Sequence, residues 1–214
     1  MHDLILDNEI TQPTELRDFF EWHQGIKHYG FWAIEIHHPN CLQQILLSQQ
    51  QLSNKLHPNY LRQPHITLSA SGLLDDKHFT QASLQQQIKK LKESNLSAFS
   101  LNLSKGHSFT TAPYLSISDH CHSLATLRTL FNNICSEQDP SDYIPHITLG
   151  FYNQAFKTVD VLTQLATVYS QDIEFMVNEI VFAQYNTHEI QGRYQVLHRI
   201  ALADSVNNTN KTGR

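Results

Sequence analysis

The chain has 214 residues, 40% of them apolar and 16% charged, which suits one compact domain or two lobes sharing a cleft and excludes a collagenous, low-complexity or broadly disordered chain. Its 15 basic and 20 acidic side chains leave a net charge of -5, which argues against a protein that grips long nucleic acid through its phosphates. No apolar run approaches the ~18–20 residues of a membrane-spanning helix. Three cysteines without a Cys-x-x-Cys pair suit a reducing compartment, so the sequence is read as a soluble, cytoplasmic protein with no membrane contact.

Residues 1–28 read as an N-terminal extension, with Thr14 capping a short helix through Trp22. A strand follows at Phe31 to His37. Leu42, Ile45, Leu46 and Leu52 then mark the apolar face of a helix. Residues 62–69 alternate as a strand, and 78–93 are helical with Phe79, Leu84, Ile88 and Leu91 inward. A hairpin is predicted from Phe99–Leu103 and Leu115–Ile117, with a loop over 105–112. A helix spans 123–135, an acidic loop 137–142, a strand 143–152 and a helix 159–168. The chain closes with strands over 173–183 and 194–202, joined near Glu189 to Gly192, and a polar tail over 205–214. At least two hairpins among alternating strands and helices predict an α+β fold with mainly antiparallel sheets, in one domain over 29–204.

Histidine is abundant, at 14 residues, and most are read as ordinary surface or structural groups. His37 and His38 are adjacent on a strand and point to opposite faces, so they do not share an ion. His120-Cys121-His122 lies where a helix begins and is not read as a metal site. There is no Gly-x-Gly-x-x-Gly, no Walker loop and no Gly-x-Ser-x-Gly.

One feature stands apart. Pro-His-Ile-Thr-Leu occurs twice, at 64–68 and 145–149, once in each half of the chain. On a strand, residues two apart share a face, so His65 stands beside Thr67 and His146 beside Thr148. Ile66 with Leu68, and Ile147 with Leu149, then anchor each strand in a core. Proline donates no amide hydrogen, so each motif should begin at a strand end or on a sheet edge. If a pseudo-two-fold axis relates the halves, the two imidazoles face one cleft. Two imidazoles can divide the tasks of base and acid near neutral pH, and two threonine hydroxyls can donate to the non-bridging oxygens of a phosphate.

At these residues the sequence resembles the 2H phosphoesterase superfamily, named for two His-x-Thr/Ser-x motifs, and within it the 2′-5′ RNA ligase and RNA 2′,3′-cyclic phosphodiesterase branch. The resemblance implies a bilobal fold, two mainly antiparallel sheets flanked by helices with a central cleft. It implies metal-independent phosphodiesterase chemistry on a 2′,3′-cyclic phosphate of RNA ends or nucleotides, without a cofactor and with no bulk nucleic-acid binding. A 2′-5′ RNA ligase, a 2′-5′ oligonucleotide phosphodiesterase and a non-catalytic nucleotide- or RNA-binding module are the alternatives. By carry-over, His65 and His146 are the acid–base pair and Thr67 and Thr148 bind phosphate. Four further residues are candidates for substrate contact: Tyr152, on the face of His146 if its strand stays regular; Arg62, at the entry to the first motif; and Lys105 and His107, in the hairpin loop. The protein is expected to act as a monomer.

Overall fold

The computed structural model describes residues 9–135 and 143–204. The elements are, in chain order, α1 (Phe20–His23), β1 (His28–Glu35), α2 (Pro39–Gln51), β2 (His65–Leu73), α3 (Gln81–Glu93), β3 (Phe99–Ser108), β4 (Pro113–Ser118), α4 (Ser123–Asn132), β5 (His146–Thr148), α5 (Thr158–Val168), β6 (Ile173–Val177), β7 (Glu179–Asn186) and β8 (Tyr194–Ala201). The acidic loop 137–142 and the polar tail 205–214 lie outside the described residues.

The strands form two four-stranded antiparallel sheets, ordered β2-β1-β7-β8 and β5-β4-β3-β6. The arrangement repeats. In one half the run is β1, α2, β2; in the other it is β4, α4, β5. Ile36 N–H donates to Pro64 O at 3.1 Å, and Ile117 N–H donates to Pro145 O at 3.0 Å, so each proline is engaged through its carbonyl. The helices are exchanged between the halves. Phe131 of α4 stacks on Trp32 of the first sheet at 4.7 Å. On the other side, Gln44 of α2 donates to Val168 O at the end of α5, 3.1 Å away. Gln87 of α3 closes the first layer, accepting from Trp32 Nε1 at 2.8 Å and donating to Phe131 O at 3.3 Å, so the buried indole and amide are both satisfied.

Four details differ from the pattern reading. The inward face of α2 carries Cys41, Gln44, Ile45 and Ser48, while Leu42 and Leu46 are exposed. Gln44 and Ser48 bond each other at 3.3 Å, which satisfies a polar face that periodicity alone excludes from a core. The strand predicted over 173–183 is two strands in different sheets, because the apolar parity changes at Asn178: Phe175 and Val177 point into the core before it, Ile180 and Phe182 after it. The second motif strand stops at Thr148, since Gly150 turns the chain at φ +152, a conformation L side chains rarely adopt. Finally, the helix predicted from Thr14 to Trp22 is only the single turn α1.

Among the described residues before α1, Thr11 to Thr14 pack on the second half. Thr11 N–H donates to Phe156 O at 2.8 Å, Gln12 N–H to Thr110 O at 2.7 Å and Thr14 N–H to Tyr152 O at 2.9 Å. Past α1, Thr187 ties the chain to the first half, its hydroxyl donating to Ile26 O at 2.7 Å. Among the described residues no helix is long and apolar enough to cross a membrane.

Candidate active site

The two Pro-His-Ile-Thr-Leu copies fold alike. In each, histidine and threonine are half-buried and isoleucine and leucine fully buried, the alternation a one-faced strand requires. The four aliphatic side chains are 0% exposed, and each such burial contributes about 1.5–3 kcal/mol, so the register of both strands is firmly held. β2 and β5 are edge strands of their own sheets, and they approach each other within 8 Å between Cα atoms. The sheets therefore meet along the two strands that carry the motifs.

Both imidazoles are held by the same device. His65 Nδ1 lies 2.8 Å from Gln63 O, and His146 Nδ1 lies 2.7 Å from Ile144 O. A carbonyl only accepts, so each Nδ1 carries the proton and donates it. In the neutral ring, Nε2 then bears the lone pair, the form a general base needs. Aromatic rings wall both histidines. Phe31 and Tyr194 stand 5.3 and 5.2 Å from the His65 ring, and Phe109 and Tyr114 stand 4.8 and 5.4 Å from the His146 ring.

The surroundings differ in charge. The cross-strand neighbour of His65 is Glu35, which accepts from Tyr194 Oη at 3.0 Å and lies 2.6 Å from Arg199 Nη1. The neighbour of His146 is Ser116, whose hydroxyl donates to Lys105 O at 2.9 Å. Burial, with smaller contributions from the charges of Arg62 and His146, pushes the His65 pKa down to about 4, against the Gln63 carbonyl and Glu35, which favour the proton. Sequence reasoning missed Glu35 and Tyr194; the period-2 spacing of Phe31, Ala33 and Glu35 on β1 was the available signal for the first.

The other four candidates are placed as follows. Tyr152 does not face the cleft: it is 0% exposed in the helix-side core, with its hydroxyl 2.7 Å from Ser108 Oγ, so it offers no ring face to a base. The regular alternation it needed ends before Gly150. Arg62 is committed within the protein, donating to the carbonyls of Ile190 at 2.8 Å and Gly192 at 3.2 Å, with its guanidinium 4.2 Å from the Tyr185 ring centroid. It acts on the site through its charge. Lys105 and His107 sit on β3, not in a loop, because the strand runs to Ser108. His107 stacks on Tyr114 at 5.8 Å, one ring removed from His146, and the Lys105 side chain is exposed at a break in the β3–β4 register.

Two clusters beyond the motif residues themselves have ligand-type atoms close together: Asp18, His23 and His188, and, beside His65, Glu35, His37 and Glu179. Neither fits a metal as it stands. Gly25 N–H donates to His23 Nδ1 at 3.0 Å, so His23 Nε2 carries the proton it presents to Asp18 at 2.5 Å. In the second, Arg199 Nη1 lies 2.6 Å from carboxylate oxygens of both Glu35 and Glu179.

Comparison with known proteins supplies the family. No curated protein matches the chain. Among solved structures, apo LigT of E. coli superposes with a TM-score of 0.55 at 15% identity, covering 84% of this chain and 100% of that one. The same protein complexed with 3′-AMP gives 0.55 at 15% identity, over 82% and 98%. TT0787 of Thermus thermophilus gives 0.56 at 11% identity, over 82% and 98%. At these identities the likeness concerns the fold. Residues 40–189, which include both motifs, match the family model described as the 2′-5′ RNA ligase superfamily, and with that match over more than half its length the chain belongs to this superfamily of 2H phosphoesterases.

Proposed function

We propose that this protein hydrolyses 2′,3′-cyclic phosphates, on nucleotides or at RNA ends, by acid–base catalysis between His65 and His146. The observation that carries the reading is the pairing of two identical His-x-Thr strands on abutting sheet edges, with each imidazole held through Nδ1 by a backbone carbonyl. His65, kept neutral by burial, takes a proton from the attacking water at Nε2. A P–O bond of the cyclic ester breaks as His146, protonated, gives its Nε2 proton to the departing ribose oxygen. The products are a phosphomonoester and a free hydroxyl. The Thr67 and Thr148 hydroxyls donate to the non-bridging oxygens, where charge builds in the transition state. One imidazole takes a proton and the other gives one, so no step as written calls for a metal.

The family name favours one further reading. With a ribose 5′-hydroxyl in place of water, the same ring-opening step, with each histidine in the same role, leaves a 2′-5′ linkage and a free 3′-hydroxyl; cleavage of such a linkage back to the cyclic phosphate is the reverse, in which the two histidines exchange roles. The E. coli LigT complexes with 3′-AMP and with ATP are consistent with a nucleotide-sized ligand in this fold. One chain supplies both motifs, so a monomer suffices, and the free thiols of Cys41, Cys121 and Cys135 accord with a cytoplasmic setting. The test is a panel of 2′,3′-cyclic nucleotides and 2′-5′-linked dinucleotides, incubated with chelator. Turnover lost in His146→Ala, with ligand affinity retained, supports catalysis. No turnover of any member by the wild type rejects it.

A further inference from the structure

The two motif strands belong to different sheets, so no backbone ladder sets the distance between them. Something else must, because a base and an acid flanking one phosphorus tolerate little error; a misplacement of about 1 Å costs on the order of 10²-fold. Side chains of the two exchanged helices reach the same position of both motifs, so each motif is tied to the helix contributed by the other half. Arg128 Nη1, from α4 of the second half, donates to Leu68 O of the first motif at 2.7 Å. Gln49 Nε2, from α2 of the first half, donates to Leu149 O of the second motif at 3.0 Å. A third crossing bond adds to these. Tyr143 Oη donates to Thr67 O at 2.9 Å, and the Arg128 guanidinium lies 3.9 Å from the Tyr143 ring centroid. Tyr143 is three residues ahead of His146, and the next residue, Ile144, supplies the carbonyl that orients the His146 ring. A short run of chain thus holds the first motif by its backbone and the second by its imidazole.

We propose that Arg128, Tyr143 and Gln49 are positioning residues that set the separation of His65 and His146. None touches the reacting atoms. Arg128 is the strongest of the three, since a charged donor to a carbonyl makes the stronger bond and its flat face also seats Tyr143. Loosening the brace lets the two half-sites drift apart while each keeps its own histidine and threonine. Phosphate capture by the individual half-sites then changes little, and the step that needs both imidazoles at once suffers.

This inference rests on the proposed phosphodiesterase reaction, and the experiment separates the two. kcat and KM are measured on a 2′,3′-cyclic mononucleotide for wild type, Arg128→Met, Arg128→Lys, Tyr143→Phe and Gln49→Met, with a melting curve for each. Arg128→Met is expected to lower kcat about 10- to 100-fold with KM within about threefold. Arg128→Lys, which keeps a cationic donor to Leu68 O but lacks the flat face against Tyr143, is expected to recover part of that loss. Tyr143→Phe removes one hydroxyl and serves if Arg128→Met does not fold; its kcat falls about 3- to 10-fold. Unchanged kcat in Arg128→Met and Tyr143→Phe overturns the proposal, as does a loss in Arg128→Met that its lysine counterpart does not relieve. A second readout needs no turnover. His65 is titrated by NMR with and without His146→Gln, and the difference measures how strongly one imidazole feels the other. That difference shrinks in the Tyr143→Phe background if the brace sets their spacing, and an unchanged difference counts against it. A wild type that turns over no substrate rejects the reaction, and the titration still decides the brace.

Discussion

His65 should remain a neutral base well below the pH at which an ordinary histidine is half protonated. Its pKa is pushed from 6.5 down to about 4, mainly by burial and secondarily by the Arg62 and His146 charges. At ~1.36 kcal/mol per unit, the site disfavours the imidazolium by about 3 kcal/mol relative to water. Two measurements follow. The acid limb of kcat/KM on a 2′,3′-cyclic nucleotide reports the free protein's base and should lie near pH 4, not near 6.5. Stability obeys the same sign. Between pH 6.5 and about 4 the unfolded chain binds a proton at this position that the folded chain refuses. The contribution is therefore fully present above 6.5 and is lost as the pH falls towards 4, by up to about 3 kcal/mol. Glu35→Gln removes a carboxylate that favours the proton, so it should move the acid limb lower still. Arg62→Gln should move it upward. An acid limb at or above pH 6.5, with the His65 NMR titration in the same place, would refute the assignment of this ring as the buried base.

Other outcomes test the site and its frame. His65→Ala and His146→Ala should each lower kcat about 10²–10⁴-fold, with inorganic phosphate still bound, as followed by calorimetry; a mild loss in either removes it from the acid–base pair. Tyr152→Phe should cost about 0.5–1.5 kcal/mol in urea unfolding through its lost Ser108 bond and leave base preference among cyclic nucleotides unchanged. A changed preference would return Tyr152 to the cleft. Phe131→Ala, which empties the space against the Trp32 indole at 4.7 Å, should cost about 3–5 kcal/mol in the same assay. A loss below about 1 kcal/mol would mean that α4 is not the helix that closes the first sheet.

The motifs were legible because their signal is local. A period-2 alternation closed by proline on one side appears twice, and the structure gives both copies the same burial, the same edge position and the same Nδ1 contact. The weaker candidates failed where a local rule was extended past its range. Tyr152 was placed by strand parity that ends at Thr148. Lys105 and His107 were given to a loop because Gly106 reads as a turn residue; it is instead a strand position whose absent Cβ would meet Leu165 at 2.6 Å, so glycine there makes room for α5. Arg62 stands at the entry to the first motif, but its donors are spent on the carbonyls of a turn 127–130 residues further along the chain.

From the order of residues alone came the α+β class, the two His-x-Thr pairs, the face each pair shares and the family they resemble, because each follows from the geometry of a single strand or from a repeat within the chain. Tertiary structure alone decided the rest: that β2 and β5 abut, that α2 and α4 are exchanged between the halves, that burial and Arg62 strip His65 of its usual proton affinity, and that Arg128, Gln49 and Tyr143 bridge the motifs. The three bridging bonds join residues 60 to 100 positions apart, and the free energy of such a contact depends on burial and partner geometry that no local pattern encodes.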